Sequence, residues 1–284
     1  MILGSKNITS RGIWTGSWAL LLTGGAFLFF VLKYPGHFYF AEQMQLFRLT
    51  PEHILHYWSK PAMLARLAGE FLIQFYFLTG AGPFIVAVLL LSGWFLIRAV
   101  LKRFGNRRSG VILPSLPVAI LFVLHLDLSY SLSATLGFLL AVLFFWLFSF
   151  IGNSLVRRVL FLFALPLIYW LTGGAVFVFA GLAVLFEHLV AKGKLSFRLI
   201  WSGLLAVVLL SSLELLRLPF RLTYAELFLF PVQFRIPQAI IWILLQVTLG
   251  VVVVVHFFRS EPVARGWLFA ETLLLVWVIG AGIS

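Results

Sequence analysis

The hydrophobic positions of this chain fall into long runs that are separated by short basic segments. Apolar runs of about 17 to 25 residues are long enough to cross a bilayer as α-helices. Their backbone polar groups must pair within the segment, which only a helix achieves for an isolated run. The pattern therefore predicts an all-α, polytopic transmembrane helical bundle. About nine spans are predicted, over residues 13–32, 80–101, 111–126, 132–151, 159–171, 174–190, 199–216, 239–258 and 266–283.

Two of these spans come from dividing one apolar run of about 32 residues, 159–190. Thr172-Gly173-Gly174 lies in its middle, and glycine weakens a helix interior. We therefore predict two helices that meet at the glycines. A single long, tilted helix is the alternative that the pattern leaves open.

The distribution of basic residues predicts the orientation of the bundle. Fourteen of the 21 Lys and Arg residues lie in the N-terminal segment and in the loops on its side, and the other seven lie in the two long loops 33–79 and 217–238. Cytoplasmic loops are enriched in Lys and Arg. The sequence thus predicts one transmembrane domain, 1–284, in the inner (cytoplasmic) membrane, with the N-terminus inside, the C-terminus outside and both long loops outside.

The composition supports a membrane protein over a soluble one. Hydrophobic residues make up 62% of the chain and charged residues 11%, whereas soluble domains are about 25% charged. The formal net charge of +12 comes mostly from short loops beside apolar runs, where it favours contact with anionic lipid rather than nucleic acid. Because the chain has no cysteine, disulfides and thiolate chemistry are excluded.

The first long loop contains an amphipathic pattern. Thr50 before Pro51 is typical of a helix start. Apolar residues recur at helical spacing over Met63–Gln74, and Arg66 and Glu70 are four residues apart and could pair. We expect an amphipathic helix at the outer interface. It is either a plain interfacial element or the roof of a site for a lipid-linked substrate at the bilayer edge.

Five polar residues of the outer loops are candidates for chemistry. Glu42 and Asp127 could act as a general base or bind a divalent cation through oxygen, and His125 could be an acid, a base or a ligand. Arg48 and Arg66 could hold a phosphate. The alternative for Asp127 is that it caps the helix that follows it.

Three further carboxylates are expected to form structural ion pairs. The expected pairs are Glu187 with Lys192 or Lys194, Glu214 with Arg217, and Glu226 with Arg221 or Arg235.

Three stretches carry a resemblance to a known family. Phe40–Pro51, Ala68–Tyr76 and Tyr169–Gly174, together with Glu187, resemble an uncharacterised Bacteroidetes family of multi-pass membrane proteins. The resemblance covers most of the chain, and it implies the membrane fold without implying an activity.

A looser similarity links the chain to membrane glycosyltransferases of the C-type fold. Those enzymes have an acidic residue and interfacial helices in the first outer loop and further acidic residues in the second. Glu42, Met63–Gln74 and Asp127 lie at matching places, although the second-loop acidic pair of some members is reduced here to His125-x-Asp127. The similarity implies transfer of a sugar from a polyprenyl-phosphate donor. A scaffold for an extracytoplasmic domain or protein and a small-molecule transporter are the alternatives.

Overall fold

The computed structural model describes residues 6–43, 47–48, 50–105, 112–191, 194–232 and 236–258. Within these ranges the chain forms α-helices joined by turns and two short 3₁₀ segments, Gln74–Phe77 and Gly173–Ala175. The helices are α1 (Lys6–Lys33), α2 (Pro35–Gln43), α3 (Pro51–Trp58), α4 (Met63–Ile73), α5 (Ala81–Phe104), α6 (Ser115–Leu124), α7 (Leu132–Phe148), α8 (Ser154–Thr172), α9 (Val176–Leu189), α10 (Leu195–Phe220), α11 (Tyr224–Leu229) and α12 (Ile236–Phe258).

The helical bundle is built from apolar helices, and a helix occupies each predicted span up to residue 258. Residues 266–283, the last predicted span, lie outside the described residues. Among the described residues, five stretches are long and apolar enough to cross a membrane, whereas α6 and α7 are apolar but shorter. The five are Gly16–Lys33, Ala81–Phe104, Ser154–Leu189, Leu195–Phe220 and Pro237–Phe258.

The stretch Ser154–Leu189 turns back on itself at the glycines. A continuous helix would separate Arg157 from Glu187 by about 45 Å, at 1.5 Å per residue. Their side chains are instead 2.8 Å apart, so α8 and α9 are antiparallel. Gly173 at the bend has φ +66°, a value that glycine adopts without strain. The predicted split is confirmed, and the single long helix is excluded.

This hairpin creates a buried ion triad at its open end. Glu187 is 0% exposed. Its two oxygens accept from Arg157 at 2.8 Å and from Arg158 at 2.7 Å. Glu187 does not pair with Lys194 as expected, because the turn at the glycines brings the start of α8 to the end of α9. The other expected partner, Lys192, lies outside the described residues.

Of the other two expected ion pairs, one is present and one is not. Arg217 pairs with Glu214 at 2.6 Å, as predicted. Glu226 pairs with no arginine of the described residues, and Arg235, one of its two expected partners, lies outside them. Glu226 accepts from the backbone N–H and the hydroxyl of Thr223, both at 2.8 Å, and closes a capping box at the start of α11. These bonds from Thr223 lower the pKa of the Glu226 carboxyl.

The core of the bundle surrounds α7. This helix packs against α4, α5, α8 and α9, while α1 packs on α5, α10 on α8, and α12 on α6 and α9. A group of buried aromatic rings fills the centre, in which Phe145 contacts Phe104, Phe161 and Phe186. Large apolar side chains on α1, α10 and α12 remain exposed. Such a surface suits lipid rather than water.

The two ends of the bundle differ in character. The loop end carries α2–α4, the turn 125–131, the bend at Gly173–Ala175, and α11. The opposite end carries arginines that bind backbone carbonyl groups, and we call it the basic end. Arg103 binds Ser149, Arg157 binds Ile151, and Arg198 binds His188.

Helix α4 is the predicted amphipathic helix, and it is confirmed at Met63–Ile73. Its small residues pack tightly on α7. A Cβ added at Gly69 would lie 2.9 Å from the backbone of Ser133, and one added at Gly137 would lie 3.6 Å from Ala65. Small residues four apart on both helices allow this close backbone approach. This face of α4 therefore contacts protein and is part of the bundle.

Candidate functional site at the loop end

A polar cluster lies where three separate elements meet at the loop end. His37 is on α2, His125, Asp127 and Ser129 are in the turn after α6, and Gln238 is in the first turn of α12. Helix α12 packs on α6, which brings residues more than a hundred positions apart into contact. We call these five residues the histidine cluster.

Asp127 organises the turn within this cluster. Its Oδ1 accepts from the backbone N–H of Ser129 at 2.9 Å and from the Ser129 hydroxyl at 2.7 Å. Gln238 Nε2 in turn donates to that hydroxyl oxygen at 2.6 Å. The cap of α7 is Ser131, whose hydroxyl oxygen accepts from Ser133. The alternative that Asp127 caps this helix is wrong, because the intervening turn leaves Ser131 nearest to the first N–H groups.

His125 is held inside the protein behind this turn. Its Nε2 lies 2.9 Å from the Thr135 hydroxyl, which also contacts the hydroxyl of Tyr130. The imidazole meets the Tyr130 ring edge-on at 5.1 Å. With one ring nitrogen bound by Thr135, His125 is placed to orient the turn that carries Asp127.

His37 is a titratable group of the cluster, and one nitrogen of its ring lacks a hydrogen-bond partner among the described residues. Burial lowers the pKa of His37, and the nearby Asp127 charge opposes this lowering. Its Nδ1 is buried and has no hydrogen-bond partner among the described residues, and neither has Oε1 of Gln238. Neither residue was predicted from the sequence. The available signal for His37 was a histidine just beyond the end of the first span.

The remaining predicted residues of the first loop lie apart from one another. Glu42 is half-buried on α2 and forms no hydrogen bond or ion pair with a described residue. Arg48 is exposed between α2 and α3. No group of three or more His, Asp or Glu residues in the described part of the chain is placed to hold a metal ion. A divalent cation between Glu42 and Asp127 therefore lacks a ligand set there.

Arg66 belongs to a second cluster, formed by α3 and α4. It pairs with Glu70 at 3.2 Å, as predicted, and its guanidinium lies 5.1 Å above the Tyr57 ring. The Tyr57 hydroxyl donates to Glu70. Since the proton of Tyr57 is used in this bond, His53 Nε2, 3.1 Å away, must donate to the Tyr57 oxygen.

The side chains of this second cluster bind one another, so the cluster has a structural role rather than a role in binding phosphate. Burial, together with the bond to Glu70, raises the pKa of Tyr57, so the phenol remains a donor at neutral pH. Glu70 neutralises Arg66, which keeps one buried terminal nitrogen without a partner among the described residues. Arg66 is therefore less available to a phosphate than the sequence suggested.

The glycine bend joins both long loops. The N–H of Gly174 donates to the carbonyl of Phe230 at 2.7 Å. A Cβ at Gly173 or Gly174 would overlap carbonyl oxygens of the segment Phe228–Phe230. From the first loop, the Trp58 carbonyl accepts from the Trp170 indole at 3.2 Å. Glycine is needed here for a positive φ and for close backbone approach.

An apolar groove lies beneath the histidine cluster, between α1, α5 and α6. Its volume is about 260 Å³, and its walls include Gly25, Phe29, Leu90 and Phe122. It follows α6 for about 10 Å, from Ser115 to Phe122. The ring of Phe30 connects the two features, since it lies 5.3 Å from Phe122 and 6.5 Å from His37. The groove therefore ends one aromatic layer below the polar cluster.

The fold and the apolar surface define a multi-pass α-helical membrane protein. The chain belongs to DUF6057, a family of unknown function whose model matches residues 11–278. This match confirms that the chain belongs to a family without an assigned activity, while the Bacteroidetes origin and the similarity to glycosyltransferases stay predictions. No curated protein and no solved structure matches the chain.

Proposed function

We propose that this protein binds a lipid-linked sugar at its loop end. The hydrocarbon would lie in the groove between α1, α5 and α6, and the sugar would lie beside His37 and Asp127. The observation that carries the proposal is the position of the apolar groove directly below the histidine cluster. An amphipathic ligand needs this arrangement of an apolar wall and a polar end.

The groove suits a hydrocarbon chain. Ligand sites commonly have volumes from ~300 Å³, and the groove, at about 260 Å³, is close to that lower limit. A single alkyl or prenyl segment fits such a space, whereas a whole lipid does not. Leu21, a wall residue that is largely exposed on the membrane-facing side of α1, leaves the groove open to lateral entry from lipid.

The histidine cluster suits a head group with many hydroxyls. Asp127 offers a carboxylate, Gln238 an unpaired carbonyl oxygen and His37 an unpaired ring nitrogen. These groups are mainly acceptors, which recognise the O–H donors of a sugar. The cluster contains no Lys or Arg, so we place the phosphate of the ligand outside it, towards the exposed Arg48.

The reaction that we attach to this site is glycosyl transfer. The hydroxyl of an acceptor would lose its proton to Asp127 or His37, with Glu42 as the other available carboxylate. Its oxygen would form a bond to the anomeric carbon of the sugar while the bond from that carbon to the phosphate oxygen breaks. Polyprenyl phosphate would leave. In this proposal the protein has nine spans in one domain of the cytoplasmic membrane, with the N-terminus inside and the C-terminus outside.

Filling the groove tests the ligand class. A Cβ at Gly25 meets nothing within 4 Å, and Gly25 lines the groove. Gly25→Leu should therefore fill the groove without disturbing the fold. Gly24 also has open space around its Cβ but does not line the groove, so Gly24→Leu is the matched control. The purified variants are labelled with a photoreactive polyprenyl-phosphate sugar. Gly25→Leu should lose labelling and Gly24→Leu should keep it, whereas equal labelling of both would refute the proposal.

Substitutions in the cluster separate binding from chemistry. His37→Gln and Asp127→Asn should reduce the preference for the sugar-bearing lipid over polyprenyl phosphate itself. These variants change contacts with the sugar, whereas the groove that binds the hydrocarbon stays intact. If Glu42→Ala and Asp127→Ala variants reach the membrane and fully complement a deletion of the gene, the transferase hypothesis fails. That result would support the scaffold alternative. Substrate flux into vesicles without product would instead support transport.

A further inference from the structure

The first two turns of α10 carry three buried hydrogen-bond donors. They are Nε of Arg198, Nε1 of Trp201 and the hydroxyl of Ser202, and none has a partner among the described residues. Trp201 is only 5% exposed. Positions i, i+3 and i+4 share one helix face, so the three side chains lie on the same face of α10. Buried donors are usually paired in proteins, and an unpaired group needs a physical explanation.

This face of α10 lies at the basic end, where α8, α9 and α10 meet. The Trp201 ring lies 6.3 Å from Phe161 on α8. One turn nearer the end, the guanidinium of Arg158 lies 4.8 Å above the ring of Phe197. Arg198 donates to the carbonyl of His188 at the end of α9 at 2.7 Å. The unpaired donors and the ion triad therefore occupy the same three-helix junction.

The junction carries excess positive charge. Glu187 is the carboxylate shared by Arg157 and Arg158, and Arg198 adds a third guanidinium. Among the described residues of the junction, one negative charge thus stands against three positive ones. Arg158 uses only Nε for Glu187, and its terminal nitrogens donate to no described residue. A charged group at membrane depth is costly unless it is compensated, and an anion would compensate it here.

The surface around the junction faces lipid. Large apolar side chains surround it and stay exposed, with Phe197 47% and Leu195 59% accessible. Leu155 and Ile200 are also exposed. An anion that enters this junction together with two hydrocarbon chains would accept hydrogen bonds from the donors, and the chains would cover the apolar surface. A soluble anion would cover only the donors.

We infer that the junction of α8, α9 and α10 binds the phosphodiester headgroup of an anionic phospholipid. A phosphate accepts several hydrogen bonds and pairs well with guanidinium groups. Basic pockets between membrane helices are suited to such head groups. The site lies at the opposite end of the bundle from the proposed sugar site and is independent of it.

Trp201→Phe tests this site with a matched control. The variant removes the indole donor and keeps the ring contact with Phe161. Trp242 has a buried, unpaired Nε1 as well but packs on Phe138 in α7, so Trp242→Phe removes the same group elsewhere. The full chain is purified in detergent, and its melting temperature and retained lipids are measured with phosphatidylglycerol, phosphatidylcholine or inorganic phosphate. Wild type should bind phosphatidylglycerol preferentially, and Trp201→Phe should bind it roughly tenfold more weakly, while Trp242→Phe is unchanged.

A second variant, Arg158→Gln, tests the same site if the Trp201 indole contributes little to lipid binding. It removes one guanidinium and leaves Glu187 paired with Arg157, so the fold is retained and binding of phosphatidylglycerol should fall roughly tenfold. Equal binding of the two lipids by wild type would overturn the inference. So would unchanged binding of phosphatidylglycerol by both Trp201→Phe and Arg158→Gln. Stabilisation by inorganic phosphate alone, as large as that by phosphatidylglycerol, would overturn the assignment to a lipid.

Discussion

Replacing Glu187 by glutamine perturbs the most deeply buried charge of the described chain. The carboxylate accepts three hydrogen bonds from guanidinium groups, two from Arg157 and one from Arg158. Glutamine has a similar shape but only one acceptor oxygen. Its amide N–H₂ would face guanidinium donors, which cannot accept a hydrogen bond. Two buried cations would then lose their shared counter-charge.

The structure sets the size of the expected effect. Glu187 is 0% exposed, and the side chains of Arg157 and Arg158 are 8% and 10% exposed, so water can replace little of the lost interaction. Breaking a buried ion pair by removing one partner costs about 3–5 kcal/mol. For a chain of this size, such a loss lowers the melting temperature by roughly 10 °C. Arg158→Gln should cost less, because Arg157 and Glu187 remain as a neutral pair.

The assay is thermal unfolding of the purified protein in detergent. Glu214→Gln is the matched control, because Glu214 is half-exposed and pairs only with Arg217 on its own helix. It should melt like the wild type. The double variant Glu187→Gln/Arg158→Gln should be more stable than Glu187→Gln alone, since one unpaired cation is removed. If Glu187→Gln melts at the wild-type temperature, the buried triad and the antiparallel arrangement of α8 and α9 are wrong.

Two further predictions concern packing and orientation. Gly69→Ala should lower stability by about 1–3 kcal/mol, because its Cβ would lie 2.9 Å from the backbone of Ser133; a thermal melt no lower than that of the wild type would contradict this packing. The cysteine-free chain also allows single cysteines to report orientation. A cysteine at exposed Glu52 should react with a membrane-impermeant maleimide on intact spheroplasts, and one at exposed Lys102 should react only after permeabilisation. The reverse result would refute the proposed N-inside orientation.

Two ion pairs within single helices could be predicted from the sequence, although the expected pair of Glu226 with Arg221 is not formed. Arg66 and Glu70 are four residues apart, and Glu214 and Arg217 are three apart, so one helix brings each pair together. The N-cap Thr50 was predictable for the same reason. Glu187 was mispredicted because nearby lysines were available in sequence. Its actual partners are about 30 positions away and become neighbours only when the chain turns at Gly173.

The candidate site was predicted less completely than the helices. Asp127 and His125 were found because polar residues in a short turn between apolar helices are conspicuous. His37 and Gln238 were missed, because each lies beside an apolar helix with no local polar pattern. They join the site through the packing of α12 on α6 and the position of α2 after α1. Glu42 stays a prediction, since no described contact links it to the others.

Sequence alone determined the class of this protein and the positions of its long apolar helices up to residue 258. A bilayer solvates no backbone polar group, so long apolar runs form helices, and composition suffices to locate these runs. The structure, not the composition, decided that the run 159–190 forms two helices. Tertiary structure decided which side chains meet, including the triad around Glu187, the histidine cluster and the groove below it. Those contacts depend on where glycine permits a close approach between helices and on which face each helix buries. Neither property is encoded in the apolar runs themselves.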